Sequence, residues 1–180
     1  MFKFDIGSGN TLRIFEKQHS QALFELTDSC RDYLKIWLPW VERTLTVKDT
    51  ESFIDFTRQQ FANNKGFQAG IWCGDEIAGC IGFHSIDWSN QSTSIGYWLG
   101  EKYQGHGLMT QACRAFINHA FYEYKLNRVE ISCALENTKS RAIPERLGFK
   151  QEGIRRELEK LSNGKLVDHA LYGLLASEWK

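Results

Sequence analysis

Three extended runs follow one another with no helix between them: FQAGIWC from Phe67, EIAGCIGFHSI from Glu76 and STSIGYWLG from Ser92. Each is rich in β-branched and aromatic residues. Gly74-Asp75 separates the first pair as a hairpin-like turn, and a polar loop from Asp87 to Gln91 separates the second. Strands joined by short turns pair antiparallel, so this stretch argues against the repeated β-α alternation of a doubly wound Rossmann sheet.

The flanking segments complete the order. TLRIFE, from Thr11, alternates as a first strand, and residues 18–32 and 49–63 carry helical apolar spacing, with Asp49 as candidate N-cap of the second helix. Between these helices lies YLKIWLPWVE, rich in large apolar rings and broken by Pro39. After the three strands come a Gly105–Gly107 turn, a helix from about Leu108 to Tyr124, the strand RVEISCAL and a short helix over 138–147. GFKQEGIRREL and KLVDHALYGLL close the chain as two strands around Asn163-Gly164, a strong hairpin signal. The order β-α-α-β-β-β-α-β-α-β-β predicts a mixed α/β (α+β) domain of seven strands and four helices, one unit over residues 1–180.

Composition excludes several classes of function. Lysine plus arginine number 22 and aspartate plus glutamate 22. Zero net charge argues against a general nucleic-acid grip, which needs a basic face. No apolar run is long enough for a membrane span, and MFKFDIGSGN lacks the apolar core of a signal peptide. Cys30, Cys73, Cys80, Cys113 and Cys133 are an odd set without C-x-x-C spacing. Reduced thiols in the cytoplasm are expected, with neither a disulfide framework nor a bound metal.

The segment YQGHGLMTQA joins a strand to a helix start. Unpaired backbone N–H groups and the helix dipole make such a turn a phosphate site. Glycines there also serve simply to allow a tight connection. A P-loop needs Lys-Ser or Lys-Thr after the last glycine, but Leu108-Met109 follows. A dinucleotide fold needs a third glycine, which Ala112 mimics only loosely. A pyrophosphate held by amides remains.

The block IGYWLGEKYQGHGLMTQACRAFINHAF resembles the acetyl-coenzyme A motif of GNAT-superfamily N-acetyltransferases, Q/R-x-x-G-x-G/A. Gln104, Gly107 and Met109 stand at its marked positions, Met109 where a small residue is expected. RVEISCALENTKSRAIPERLGFKQEG resembles the second GNAT block, with Asn137, Ser140 and Leu147-Gly148-Phe149 in order. WLPW, GCIGFHSID, IGYWLG and DHALYGLLASEW are similar to the RimJ/RimL-type ribosomal-protein N-acetyltransferases.

The resemblance implies a GNAT fold whose sheet splays between the fourth and fifth strands. It implies acetyl-CoA as cosubstrate, with its pyrophosphate on Gln104, Gly105, His106, Gly107, Leu108 and Met109. The pantetheine would run beside Trp98 and Leu99, the Leu99 N–H meeting the thioester carbonyl, and Asn137 would bond the arm. Ser140 would protonate the departing thiolate, and Glu159 would stand near the amine. The residues also admit plainer roles: Trp98 and Leu99 as core, Asn137 as an N-cap, Ser140 as a helix-start residue, and Glu159 as a solvated charge among Arg155, Arg156, Glu157 and Lys160. Pro144 makes the geometry of the short helix a question. His84 is another candidate on the amine side, or a structural histidine. Trp37 and Trp40 suit a wall of the substrate cleft, core, or a subunit contact in a homodimer or higher homo-oligomer. Cys133 shows no paired base for a covalent route.

An α-amine has a pKa of about 7.7–8.0 against about 10.4 for lysine, so deprotonating it at neutral pH costs about 3.4 kcal/mol less. The expected activity is direct acetyl transfer, in a ternary complex, to the N-terminal α-amine of a protein, ribosomal proteins included. A small-molecule amine acetyltransferase and a non-catalytic CoA-binding module are the alternatives.

Overall fold

The chain opens with a hairpin of which alternation reveals only half. β1 (Lys3–Gly7) and β2 (Asn10–Ile14) pair antiparallel, with Gly7, Ser8 and Gly9 at φ 89°, 56° and 75°. β1 is short and mostly exposed, with Phe4 in water and Ile6 alone packing on the core, and it makes the strand count eight rather than seven. This computed structural model describes residues 3–180; Met1 and Phe2, the start of the stretch read against a signal peptide, lie outside them.

The helix expected over 18–32 is two: α1 (Ser20–Ser29) and α2 (Arg31–Leu34), broken at Cys30, whose φ −122° and ψ 26° are not helical. α3 (Val47–Ala62) begins earlier than expected. Its N-cap is Thr46, and Asp49 completes a capping box, accepting the Thr46 N–H at 2.8 Å. Asp49 is thus the third helical residue and not the cap, because its longer reach from inside the helix satisfies the cap's own N–H.

The three extended runs form β3 (Gln68–Cys73), β4 (Glu76–Asp87) and β5 (Ser92–Leu99). α4 (Leu108–Asn118) follows and continues through a π-helical turn at His119–Glu123. Then come β6 (Arg128–Ala134), α5 (Thr138–Arg146), β7 (Lys150–Lys160) and β8 (Leu166–Leu175). Asn163-Gly164 turns the last hairpin as expected: Leu161 donates to the Lys165 carbonyl at 2.9 Å, and Gly164 takes φ 83°.

All strands share one sheet, ordered β1-β2-β3-β4-β5-β6-β8-β7. Among the described residues its one parallel pair is β5 with β6, which holds only from Ser92↔Arg128 to Ser94↔Glu130. Beyond that point Ile95–Leu99 pairs with β4 alone and Ile131–Ala134 with β8 alone. This is the expected splay.

Each face has its own cover. α4 buries Leu108, Met109, Ala112, Cys113, Phe116 and Ile117, spaced as one helical stripe, in a core with Ile81, Phe83, Ile95 and Ile131. Each large side chain so buried contributes about 1.5–3 kcal/mol. On the opposite face, Leu23 of α1 and Ile54 of α3 pack with Phe15, Trp72 and Cys80, and Trp98 lies against them. Among the described residues no helix is long and apolar enough to cross a membrane.

Candidate active site

Two cavities open on the two sides of the splay. The first, about 1030 Å³, lies at the start of α4 and is lined by Trp98, Leu99, Gln104, Gly105, Gly107, Leu108 and Met109. Gly105 (φ 80°) and Gly107 (φ 72°) are both left-handed, and a Cβ on either would meet nothing within 4 Å. The backbone conformation, not crowding, demands glycine here. The first bond of α4 runs from the Gln111 N–H to the Gly107 carbonyl at 3.1 Å, so the N–H groups of Leu108, Met109 and Thr110 have no partner within the helix. The Met109 side chain is 5% exposed and sits in the core. Its bulk therefore points away from the turn, although a small residue was expected. Gln104 bonds the Tyr33 hydroxyl and accepts from Lys139 Nζ at 3.1 Å, while Arg146 donates to Thr110 Oγ1 at 2.9 Å. Two cations thus flank an open cradle of amides, a donor set that fits a phosphate. His106 is exposed and is not part of the wall.

The second cavity, about 830 Å³, lies on the α1–α3 side and is lined by Trp37, Trp40, Trp98, His84, Glu159 and His169 among others. The Trp40 and Trp98 rings are 5.7 Å apart. His84 Nδ1 lies 3.2 Å from Ser94 Oγ, and its ring sits over Gly96, where a Cβ would come within 2.2 Å of Nε2. Burial pushes the His84 pKa down.

The cavities meet at the splay. Trp37, Leu38, Tyr97, Trp98, Asn137 and Ser140 line both. Gly100 donates to the Ala78 carbonyl at 2.8 Å, toward β4; alternation along the strand then turns the Leu99 N–H toward the gap. Asn137 does cap α5, its Oδ1 accepting the Ser140 N–H at 3.2 Å, and its amide still reaches both walls. Ser140 Oγ donates to Cys133 Sγ at 3.2 Å, so this hydroxyl already addresses a sulfur. Burial pushes the Cys133 thiol up, with the hydrogen bond from Ser140 opposing. Ser140 is not a base that could make it a nucleophile.

Glu159 stands within β7, not after it, and its Oε2 is 3.2 Å from His169 Nε2. It is therefore held, not merely solvated. His169 and its second neighbour, Ser132, escape the sequence reading. A lone histidine in the apolar run LVDHALYGLL is the one sign of them.

A splayed mixed sheet with a left-handed glycine turn at the next helix start defines an acyl-donor fold, and comparison with known proteins agrees. The acetyltransferase (GNAT) domain family matches residues 11–150. The chain is 37% identical to the putative ribosomal N-acetyltransferase YdaF of Bacillus subtilis (strain 168), over 100% of this chain and 98% of that protein. The structure resembles RimL, the ribosomal L7/L12 alpha-N-protein acetyltransferase, in complex with coenzyme A. That match has a TM-score of 0.93 at 27% identity and covers 97% of this chain and 98% of the other. It also resembles the microcin C7 self-immunity acetyltransferase MccE, in complex with acetyl-CoA and AMP, with a TM-score of 0.89 at 29% identity over 94% of each chain.

The chain belongs to the GNAT acetyltransferase family. It is an acetyl-CoA-dependent N-acetyltransferase of the RimJ/RimL-like group.

Proposed function

We propose that this enzyme acetylates the N-terminal α-amine of a protein, in the ribosomal-protein class, by direct transfer in a ternary complex in the cytoplasm. One observation carries the reading. The two cavities, one at the start of α4 and one on the α1–α3 side, share a wall at the splay, with Ser140 in it. Donor and acceptor then approach one carbon from opposite sides, which is the geometry of attack without an acyl-enzyme.

Each residue has a task. The amides of Gly105 to Met109, with Lys139 and Arg146 beside them, hold the pyrophosphate of the donor. The Leu99 N–H meets the thioester carbonyl, where negative charge develops, and Asn137 orients the arm. The Ser140 hydroxyl turns from Cys133 to the departing sulfur and gives it a proton. Glu159, on the acceptor side, draws the proton from the ammonium. Trp37, Trp40 and His84 form the wall that receives the N-terminal residue.

The likeness to YdaF and RimL supports a protein acceptor. MccE, whose structure holds AMP beside acetyl-CoA, supports a second reading, a small amine acceptor in the same cavity. Thiol release measured with acetyl-CoA and a panel of N-terminal peptides, lysine peptides and polyamines separates them. Turnover of N-terminal peptides is expected; rapid polyamine turnover with none on any peptide sinks the protein-acceptor reading.

A further inference from the structure

Three polar side chains from three adjacent strands stand in one hydrogen-bonded line on the acceptor side. Ser132 Oγ on β6 lies 3.1 Å from His169 Nδ1 on β8, and His169 Nε2 lies 3.2 Å from Glu159 Oε2 on β7. All three line the tryptophan-walled cavity. The line depends on an irregularity. His169 is opposite Arg155 and Val167 is opposite Glu159, so Arg156, Glu157 and Leu158 face Asp168 alone. Asp168 Oδ1 accepts the Glu157 N–H at 2.8 Å, and Glu157 takes φ 51°. A bulge of this kind re-aims the residues beyond it. Here it sets the Glu159 carboxylate against the His169 ring. The His169 side chain is 12% exposed and that of Glu159 38%, and Ser132 is exposed, so the line is closed in its middle and open to water at both ends.

With the ring neutral, His169 Nε2 carries the hydrogen and donates to Glu159, because a carboxylate has no proton to give. Nδ1 is then the lone-pair nitrogen and accepts from the Ser132 hydroxyl. The line has one polarity, from Ser132 to Glu159. Its head, the Ser132 oxygen, keeps a lone pair for a donor in the cavity.

We propose that Ser132, His169 and Glu159 form a proton relay that deprotonates the acceptor ammonium. This rests on the reading of the tryptophan-walled cavity as the amine site and deepens it, because Glu159 then acts through His169. In the step, an N–H bond of the ammonium breaks and an O–H bond forms on Ser132. The original Ser132 O–H bond breaks and an N–H bond forms on His169 Nδ1. Nothing is oxidised or reduced. The amine keeps its lone pair, and the positive charge moves to the imidazolium beside the Glu159 carboxylate. Ser132 touches the substrate; His169 and Glu159 act through it.

Other charged groups face this cavity from neighbouring elements. Arg155 opposes His169 on β7, and Glu130 on β6 is paired with Arg128 at 2.9 Å. Asp49 at the start of α3 is engaged by Thr46, Arg43 lies in the turn before it, and His84 on β4 is beside Ser94. Cys133, on β6, is held by Ser140. The Ser132 hydroxyl and the Glu159 carboxylate are the two hydrogen-bond partners of the His169 ring.

The test is kcat against pH for the wild type, Ser132→Ala, His169→Gln and Glu159→Gln, with acetyl-CoA and an N-terminal peptide. Ser132→Ala and His169→Gln should each lower kcat about a hundredfold near neutral pH. The KM for acetyl-CoA should not move. The loss should shrink above about pH 9, where the α-amine is already free and needs no base. A merely structural role predicts a loss that persists at high pH, and that result overturns the relay. So does wild-type kcat and pH profile in His169→Gln while Glu159→Gln is inactive, which leaves Glu159 as a lone acceptor. A fully active Glu159→Gln overturns the relay and the amine-site reading together. If His169→Gln does not fold, Ser132→Ala decides alone: an unchanged pH profile overturns the relay.

Discussion

The Tyr97 hydroxyl donates to the Ser140 carbonyl oxygen at 2.9 Å. In an uninterrupted helix that oxygen would accept the N–H of residue 144, but residue 144 is proline and has none. A strand residue thus completes a helix and ties the start of α5 to the edge of the splay. Tyr97→Phe should cost about 1–3 kcal/mol of unfolding free energy, since it strands a partly buried acceptor. In a Pro144→Ala background, where an N–H returns, the same change should cost clearly less. Urea unfolding of the four proteins measures the difference.

Ser140→Ala should lower kcat by about ten- to a hundredfold while acetyl-CoA binding stays near wild type. Thiol-release kinetics and calorimetric titration with coenzyme A read the two quantities separately. Unchanged turnover removes Ser140 from the chemistry.

Gly107→Ala should destabilise the fold by about 1–2 kcal/mol through φ 72° alone, because no atom crowds the new Cβ. Coenzyme A binding should weaken as well, since relaxing the turn moves the amides of Leu108 and Met109. Thermal melting with and without coenzyme A gives both effects.

Gly96→Ala should act on the acceptor side. Its Cβ would come within 2.2 Å of His84 Nε2, and the ring is the part free to move. The acceptor KM should rise severalfold with the acetyl-CoA KM unchanged. Gly96→Ala combined with His84→Ala should be no worse than His84→Ala alone, measured by initial rates against peptide concentration.

His84 also predicts a pH dependence of stability. Its ring sits over Gly96 with its outer side in water, and desolvation lowers its pKa below the ordinary imidazole value. The unfolded chain therefore binds the proton more readily. The stabilisation is complete above the unfolded pKa and is lost as pH falls through the folded one. Melting temperature should decline slightly from about pH 7 to 5, since solvent on the open side of the ring keeps the effect small, and His84→Gln should flatten part of that slope.

Local patterns carried the sequence reading where the physics is local. The stripe from Leu108 to Ile117 announces α4, and Asn163-Gly164 announces the last hairpin. β1 escaped because its alternation, Phe4 then Ile6, spans only five residues and runs straight into a glycine turn. Cys30 breaks a helix without glycine or proline to mark the place. Gln104, Gly105 and Gly107 were legible because the turn needs their backbone in one short segment. Ser132, His169 and Glu159 were not, since they meet across three strands through a bulge that no short window contains. The splay itself, a place where two strands stop pairing, leaves no mark in either strand's own residues.

The gap between β5 and β6 has a consequence for inhibitors. A molecule that joins coenzyme A covalently to an N-terminal peptide would fill both cavities, its link lying where β5 and β6 diverge. When one half lets go, the other still holds it close to its own cavity, so rebinding outruns escape. Such a conjugate should be released far more slowly than either half alone.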